Sequence, residues 1–131
     1  MKYKNSQTSI EFFILVGFVL FFFTAFFLTI HENISDKIKE RQTKLVIEIA
    51  STVQDEIDLA FESIDGYYRE FTIPDYVASK SYKINITEGM VYVRTTDGKQ
   101  AIALPVQNIT GEIRKEENII KKENGVVKLN V

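Results

Sequence analysis

One carboxylate, that of Glu11, stands immediately before residues 12–30, a run that contains no ionisable side chain. Removing a carboxylate from water is costly, so an acid beside an apolar segment usually has a functional role and pairs with a cation. Lys2 and Lys4 are the only other charges before this run, and both are basic. This spacing therefore indicates a functional role for the Glu11 carboxylate at the end of an apolar surface.

A second interpretation of Glu11 is purely structural. The sequence from Thr8 to Glu11 matches a capping box, in which Thr8 caps the backbone N–H of Glu11 and the Glu11 side chain reaches back to the N–H of Thr8. An acid in the first turn also interacts favourably with the helix dipole. On this interpretation Glu11 marks a helix that begins at about Thr8.

The rest of the chain offers few groups for catalysis or metal binding. It contains no Cys and one His, His31, so the usual ligands of zinc, iron–sulfur and haem sites are missing. No nucleophile elbow, phosphate-binding loop or dinucleotide fingerprint occurs. The net charge of -2 gives no basic stripe for nucleic acid. We therefore expect no enzymatic activity, no cofactor or metal, and no nucleic-acid partner.

Residues 12–30 predict a membrane-spanning helix. The 19 residues carry no charge, and at about 1.5 Å per residue they cover roughly 28 Å, close to the thickness of a bilayer's hydrocarbon core. The run is apolar on all sides, and the remaining chain is too short to bury it. It is longer than the apolar region of a secretory signal and lacks a small-x-small site behind it, so we expect it to stay in the mature protein.

The orientation of the chain across the membrane is predicted from the charges that flank the span and from three sequons. Basic Lys2 and Lys4 precede the span and favour a cytoplasmic N-terminus with the rest of the chain outside. Asn33, Asn85 and Asn108 each begin an N-x-S/T sequon and lie after the span, as possible N-glycosylation sites of an extracellular segment. Each sequon can equally be an ordinary Asn and Ser or Thr in a turn or strand.

After the span, residues 32–66 predict an amphipathic continuation of the helix. Gly66 is a natural C-cap. Apolar residues recur in this segment mostly every four positions, which favours a helix face packed against a sheet over a coiled-coil seam. The stripe consists of Ile34, Ile38, Leu45, Ile49, Val53, Ile57, Ala60 and Ile64.

In residues 67–131 apolar and polar residues alternate with a period of two, which predicts a β-rich head. Turn sequences at Glu88-Gly89, Asp97-Gly98 and Asn124-Gly125 separate β-branched runs into hairpins. We expect a small antiparallel sheet of roughly four to six strands with one face on the helix. The predicted fold class is α+β, with a long N-terminal helix, half transmembrane and half amphipathic, packed against this sheet.

The N-terminal motif resembles the class III signal peptide of archaeal type IV pilins, Q-x-S-x-E-x-x-x-L. The fixed positions are Gln7, Ser9, Glu11 and Leu15, and the resemblance covers roughly residues 1–45. It implies a pilin-like fold and cleavage by a prepilin peptidase between Ser6 and Gln7. The family more often has Gly or Ala before the cut, so Ser6 departs from its pattern.

The resemblance also implies a domain organisation and a function. Residues 1–6 form a cytoplasmic leader, 7–31 the hydrophobic assembly helix, 32–66 its amphipathic continuation and 67–131 the extracellular head. In such pilins the glutamate corresponding to Glu11 pairs with the free amine of a neighbouring subunit, here that of Gln7. The expected product is a pilin or minor pilin, inserted in the cell membrane and then polymerised with itself or other pilins by the pilus assembly machinery into a surface filament.

A binding or accessory protein is the alternative. In that case the chain keeps its leader, remains a single-pass membrane anchor and presents its sheet outside the cell. Such a protein needs no fixed Q-x-S-x-E pattern.

Overall fold

A computed structural model describes the backbone of residues 4–131 and the side chains from Thr8 onward. One helix, α1 (Lys4–Glu62), precedes the strands, and the chain divides into an N-terminal unit, Met1–Lys39, and a C-terminal unit, Glu40–Val131. The strands are β1 (Tyr68–Ile73), β2 (Tyr76–Val77), β3 (Lys80–Thr87), β4 (Met90–Thr95), β5 (Ala101–Pro105), β6 (Thr110–Gly111), β7 (Glu116–Glu123) and β8 (Val126–Leu129).

The described part of the N-terminal unit is helical throughout. Helix α1 already includes Lys4, so Thr8 lies inside the helix and is not its N-cap. The capping-box interpretation of Thr8 and Glu11 is therefore wrong, because an N-cap residue precedes the first helical position. Gly17 does not interrupt the helix.

In the C-terminal unit, α1 packs against the strands with one apolar face, which confirms the predicted α+β class. Val53, Ile57 and Ala60 are fully buried. The predicted stripe is correct from Leu45 to Ala60. It is wrong at Ile34 and Ile38, which are 54% and 52% exposed, and at Ile64, which is 85% exposed because α1 ends at Glu62. The buried helix residues are Gln42, Val46, Ile49, Ala50, Val53, Ile57 and Ala60.

Eight short strands form two four-stranded sheets, more than the four to six strands expected from the sequence. The orders are β1-β7-β8-β6 and β2-β3-β4-β5. All pairs are antiparallel except β6 with β8, which is parallel and corrects the expectation of a purely antiparallel sheet. At this pair a Cβ on Gly111 would lie 1.8 Å from the Leu129 carbonyl oxygen, so only glycine fits.

The hairpins lie where the turn sequences predicted them. Glu88 and Gly89 join β3 to β4 with φ of 54° and 72°, and Asn124 and Gly125 join β7 to β8 with φ of 53° and 74°. Positive φ at both central residues is typical of type I′ turns, which match the twist of the flanking strands. These turns set the register that directs alternate side chains of each hairpin inward.

Asn118 and Tyr82 are buried in the core, and each has a hydrogen-bond partner. Asn118 on β7 accepts from the Arg114 N–H at 2.9 Å and donates to the Arg114 carbonyl at 2.7 Å. Tyr82 on β3 donates its hydroxyl to the Pro74 carbonyl. Burial, with a smaller contribution from the nearby Asp75 carboxylate, raises the pKa of Tyr82 to about 12. Both residues are thereby hydrogen-bonded, as buried polar groups generally must be.

Candidate functional site

The apolar segment of α1 exposes its side chains on every side. The exposed fractions of its exposed large side chains run from 41% at Ile30 to 71% at Phe13, and Val16 is partly exposed. The helix is long and apolar enough to cross a membrane, and its most apolar 18-residue window has none of its residues buried within the structure. An exposed apolar surface of this size on a soluble chain would be an aggregation site, so it requires lipid or other helices around it.

Glu11 lies at the N-terminal end of a shallow groove along this helix. Spacings of three and four residues place the Glu11 carboxylate on the same face as Leu15 and Phe18. Among the side chains from Thr8 onward, no basic group forms an ion pair with Glu11. The groove residues are Glu11, Ile14, Leu15, Phe18, Val19, Phe22, Phe23 and Phe26.

Phenylalanines pair along the helix surface at the i, i+4 spacing. The ring centroids of Phe18 and Phe22 are 6.4 Å apart in a stacked arrangement, and those of Phe23 and Phe27 are 5.5 Å apart. These separations fall in the range of favourable aromatic pairs. The rings therefore form ordered ridges, between which side chains of a neighbouring helix can pack.

The hydroxyl groups within the apolar segment are satisfied by the helix itself. Thr24 donates to the Leu20 carbonyl at 2.8 Å, and Thr29 donates to the Ala25 carbonyl at 3.0 Å. Such bonds to the preceding turn remove the cost of placing a hydroxyl in hydrocarbon. Both threonines are thus compatible with an apolar surrounding.

The residues of the Q-x-S-x-E-x-x-x-L motif are only partly described. Ser9, Glu11 and Leu15 are exposed on α1, and Leu15 shares the groove with Glu11. The side chains of Ser6 and Gln7, at the predicted cleavage point, lie outside those that the structure describes. Cleavage therefore stays a prediction from the sequence.

The three sequons fall on three kinds of backbone, and all three asparagines are exposed. Asn33 lies within α1 and donates to the Thr29 carbonyl at 2.9 Å. Asn85 lies on β3 and donates to Thr87 Oγ1 at 3.3 Å. Asn108 lies between β5 and β6. The structure thus distinguishes sequons that the sequence pattern treats as equivalent.

A charge cluster at the turn after β4 was not predicted from the sequence. Lys80 Nζ lies 2.6 Å from Asp97 Oδ2, and the Thr95 hydroxyl donates to Asp97 Oδ1 at 2.7 Å. The bond from Lys80, followed by those from Thr95 and the Lys99 N–H, lowers the pKa of Asp97. The cluster joins the start of β3 to the β4–β5 turn. No sequence pattern predicts this ion pair, because Lys80 and Asp97 are 17 residues apart.

A second cluster joins two acids and a lysine that are distant in sequence. A hydrogen bond with Asp75 and the charge of Asp75 raise the pKa of Glu116. Lys115 Nζ lies 3.5 Å from the Asp75 carbonyl oxygen and 4.6 Å from the centroid of the Tyr82 ring. Among the described residues, no group of three or more His, Asp or Glu side chains is arranged to hold a metal ion.

Comparison of the chain with protein-family models, curated proteins and solved structures gives no match. The motif and the geometry of the apolar segment and the C-terminal unit are therefore the features that bear on function.

Proposed function

We propose that this chain is the precursor of a structural subunit, a pilin or minor pilin, of an archaeal type IV pilus-like surface filament. The chain is inserted with its N-terminus in the cytoplasm and its C-terminal unit outside the cell. A prepilin peptidase cuts between Ser6 and Gln7, and the assembly machinery stacks the exposed apolar helix against those of other subunits.

The observation that carries the proposal is the position of Glu11. Glu11 is the one ionisable residue from Thr8 to Ile30, and it lies at the N-terminal end of the groove on an exposed apolar helix. No basic side chain from Thr8 onward forms an ion pair with it. A carboxylate placed in this way is costly until a cation arrives from outside the described residues. Cleavage before Gln7 would create such a cation, the new terminal ammonium.

Charge pairing would select the axial register of the filament. In the lipid-embedded subunit the apolar side chains are already shielded from water, so extraction into a filament gains little from the hydrophobic effect. Packing of the paired phenylalanine rings supplies contact energy, while an incorrect stagger leaves both the Glu11 carboxylate and a neighbour's ammonium buried and unpaired. The penalty against incorrect stagger provides the specificity.

The C-terminal unit supports the same function by its architecture. Its strands pack on the continuation of the helix that carries the apolar segment, so a globular unit and an assembly segment share one element. Its exposed strand residues include charged ones such as Lys83, Arg94 and Glu117, which suit it to the water-facing side of a filament.

The decisive experiment combines N-terminal mass spectrometry with substitution of Glu11. The chain is expressed in cells that carry a prepilin peptidase and assembly machinery, and the mature protein is expected to begin at Gln7. Glu11→Val is expected to insert and be cleaved normally but to be lost from purified filaments. Glu32→Val, which removes an acid just beyond the apolar run, serves as the matched control and is expected to assemble.

Two results would count against the proposal. Normal filaments from Glu11→Val would remove the role of Glu11 in assembly. A cell-derived chain that retains Lys2 and Lys4 and is absent from fibres would favour the single-pass membrane-anchored accessory protein instead.

A further inference from the structure

The outer face of the β3–β4–β5 sheet carries a sequon beside an exposed aromatic ring. Inward residues such as Ile84 and Val93 alternate with outward ones along each strand. We call this surface the sequon face. From β3 it contains Lys83, Asn85 and Thr87, from β4 Met90, Tyr92 and Arg94, and from β5 Ala101 and Ala103.

Strand backbone brings the two functional side chains of the Asn85 sequon together. Residues two apart on a strand point to the same face, and Asn85 Nδ2 lies 3.3 Å from Thr87 Oγ1. On a helix, residues two apart point away from each other. Asn33 and Ser35 are therefore separated on α1, and the Asn33 amide is held by the Thr29 carbonyl.

Tyr92 lies directly across from Asn85 in the antiparallel register. Side chains at such positions have Cβ atoms about 4.5–5.5 Å apart, within reach of one another. Tyr92 is 36% exposed, and its hydroxyl donates to Met90 Sδ at 3.5 Å. On the neighbouring strand β5, the residue across from Tyr92 is the small Ala103. Tyr92 therefore lies between Asn85 on β3 and Ala103 on β5, and the small alanine side chain leaves space above the sheet.

We propose that Asn85 carries an N-linked glycan and that the sugar attached to the asparagine packs on the ring of Tyr92. The ring supplies an apolar surface for the C–H groups of the sugar, while its hydroxyl stays at the rim, as amphipathic aromatic side chains commonly do. The inference depends on the external orientation of the C-terminal unit in the proposed function.

The modification is a group transfer from a polyisoprenyl-phosphate-linked oligosaccharide. A bond forms between Asn85 Nδ2 and the anomeric carbon of the sugar, while the bond from that carbon to the phosphate oxygen breaks. The amide loses one proton and the lipid phosphate leaves with the electron pair, so no oxidant or reductant is required. A membrane-bound transferase of the host cell supplies the catalysis.

Glycopeptide mass spectrometry of the full chain, purified from cells with this glycosylation chemistry, tests the site directly. Cleavage after Lys83 and Arg94 yields a peptide, residues 84–94, whose sole sequon is that of Asn85. This peptide is expected to carry the mass of an oligosaccharide, and the peptide containing Asn33 is expected to carry none. A bare Asn85 or a glycan on Asn33 would overturn the inference.

A double substitution cycle tests the role of Tyr92. Thr87→Ser retains the sequon and Thr87→Ala abolishes it, and each is made in the natural chain and in Tyr92→Leu. With Tyr92 present, the Ser form is expected to melt about 3 °C above the Ala form. With Tyr92→Leu the glycan remains but the difference is expected to be smaller, and any direct effect of Ser against Ala cancels when the two differences are compared. Equal differences in both backgrounds would remove Tyr92 from the inference.

Surface labelling keeps this inference separable from the proposed function. A membrane-impermeant amine reagent applied to intact cells labels lysines of the C-terminal unit when that unit lies outside. Labelled cells with a bare Asn85 would overturn the glycan alone and leave the external orientation standing. Unlabelled cells would overturn the orientation and, with it, both proposals.

Discussion

Lys122 of β7 donates from Nζ to the carbonyl oxygen of Phe61 in the last turn of α1, at 2.6 Å. The same ammonium donates to the Ser63 carbonyl at 2.8 Å. The last carbonyls of a helix have no partner within the helix, and a cation placed there also interacts favourably with the helix dipole. A side chain from the sheet thus completes the end of the helix on which that sheet packs.

Replacing Lys122 with Met is expected to lower the free energy of unfolding of the C-terminal unit by about 1–2 kcal/mol. The methionine keeps most of the stem but leaves the Phe61 and Ser63 carbonyls without their donor. Lys121→Met is the control, because Lys121 points to the other face and pairs at 3.3 Å with Glu123. Urea unfolding of the full chain in detergent measures both variants, and equal losses would contradict this assignment.

Ile57→Ala is expected to destabilise the C-terminal unit by about 2–4 kcal/mol, since it leaves a cavity in a packed core. Ile57 is 0% exposed, whereas Ile38, from the same sequence stripe, is 52% exposed and lies in the N-terminal unit. Ile38→Ala is therefore expected to change stability by less than about 0.5 kcal/mol. The same urea titration distinguishes them, and a large loss with Ile38→Ala would show that the stripe is core over its whole length.

Asp97→Asn is expected to lower the melting temperature at pH 7. The pKa of Asp97 is lowered in the folded chain, chiefly by the hydrogen bond from Lys80, so its ionised form stabilises the fold. This contribution is present above the ordinary Asp pKa of about 3.9 and is lost as pH falls through the lowered value. The melting temperatures of the variant and the natural chain should approach each other as pH falls below about 3.9 and should meet only below the lowered pKa of Asp97. A difference that does not depend on pH would contradict the role of the Asp97 charge, and Asp55→Asn on α1 provides an exposed control.

Glu116→Gln is expected to have the opposite sign and raise the melting temperature at pH 7. Asp75 raises the pKa of Glu116, so the ionised form is disfavoured in the folded chain. That cost applies above the raised pKa and disappears as pH falls below the ordinary Glu value of about 4.3. Thermal melts at neutral pH and at about pH 3 measure the change. A lower melting temperature of Glu116→Gln at pH 7 would exclude a destabilising repulsion between Asp75 and Glu116. Glu112→Gln, at an exposed position, serves as the control.

The sequence predicted those parts of the fold that depend on local patterns. The turn at Asn124-Gly125 was predicted correctly because Asn and Gly tolerate the positive φ that such hairpins need, whereas at Glu88-Gly89 only the glycine gave the signal and Glu88 nevertheless has a φ of 54°. The turn at Ala78 and Ser79, with φ of 46° and 65°, was missed since neither residue is typical of it. Strands β2 and β6 contain two residues each, too few to show a period.

Features that depend on distant partners could not be predicted from the sequence. The helix was expected to extend to a C-cap at Gly66, but it ends at Glu62, and Lys122 binds the carbonyls of Phe61 and Ser63. Likewise, Asp75 and Glu116 interact across many intervening residues. For the candidate site, the apolar run and Glu11 were evident from composition, while the groove shared with Phe18 and Phe26 needed the helix geometry.

The position of β8 has a consequence for the biogenesis of the chain. Within residues 4–131, β8 lies between β7 and β6, and the strand that begins this sheet, β1, has β7 as its neighbour. β1 cannot pair until β7 has been synthesised, and β6 cannot pair until β8 has. This sheet therefore completes later than the β2–β5 sheet, whose neighbouring strands follow one another in sequence.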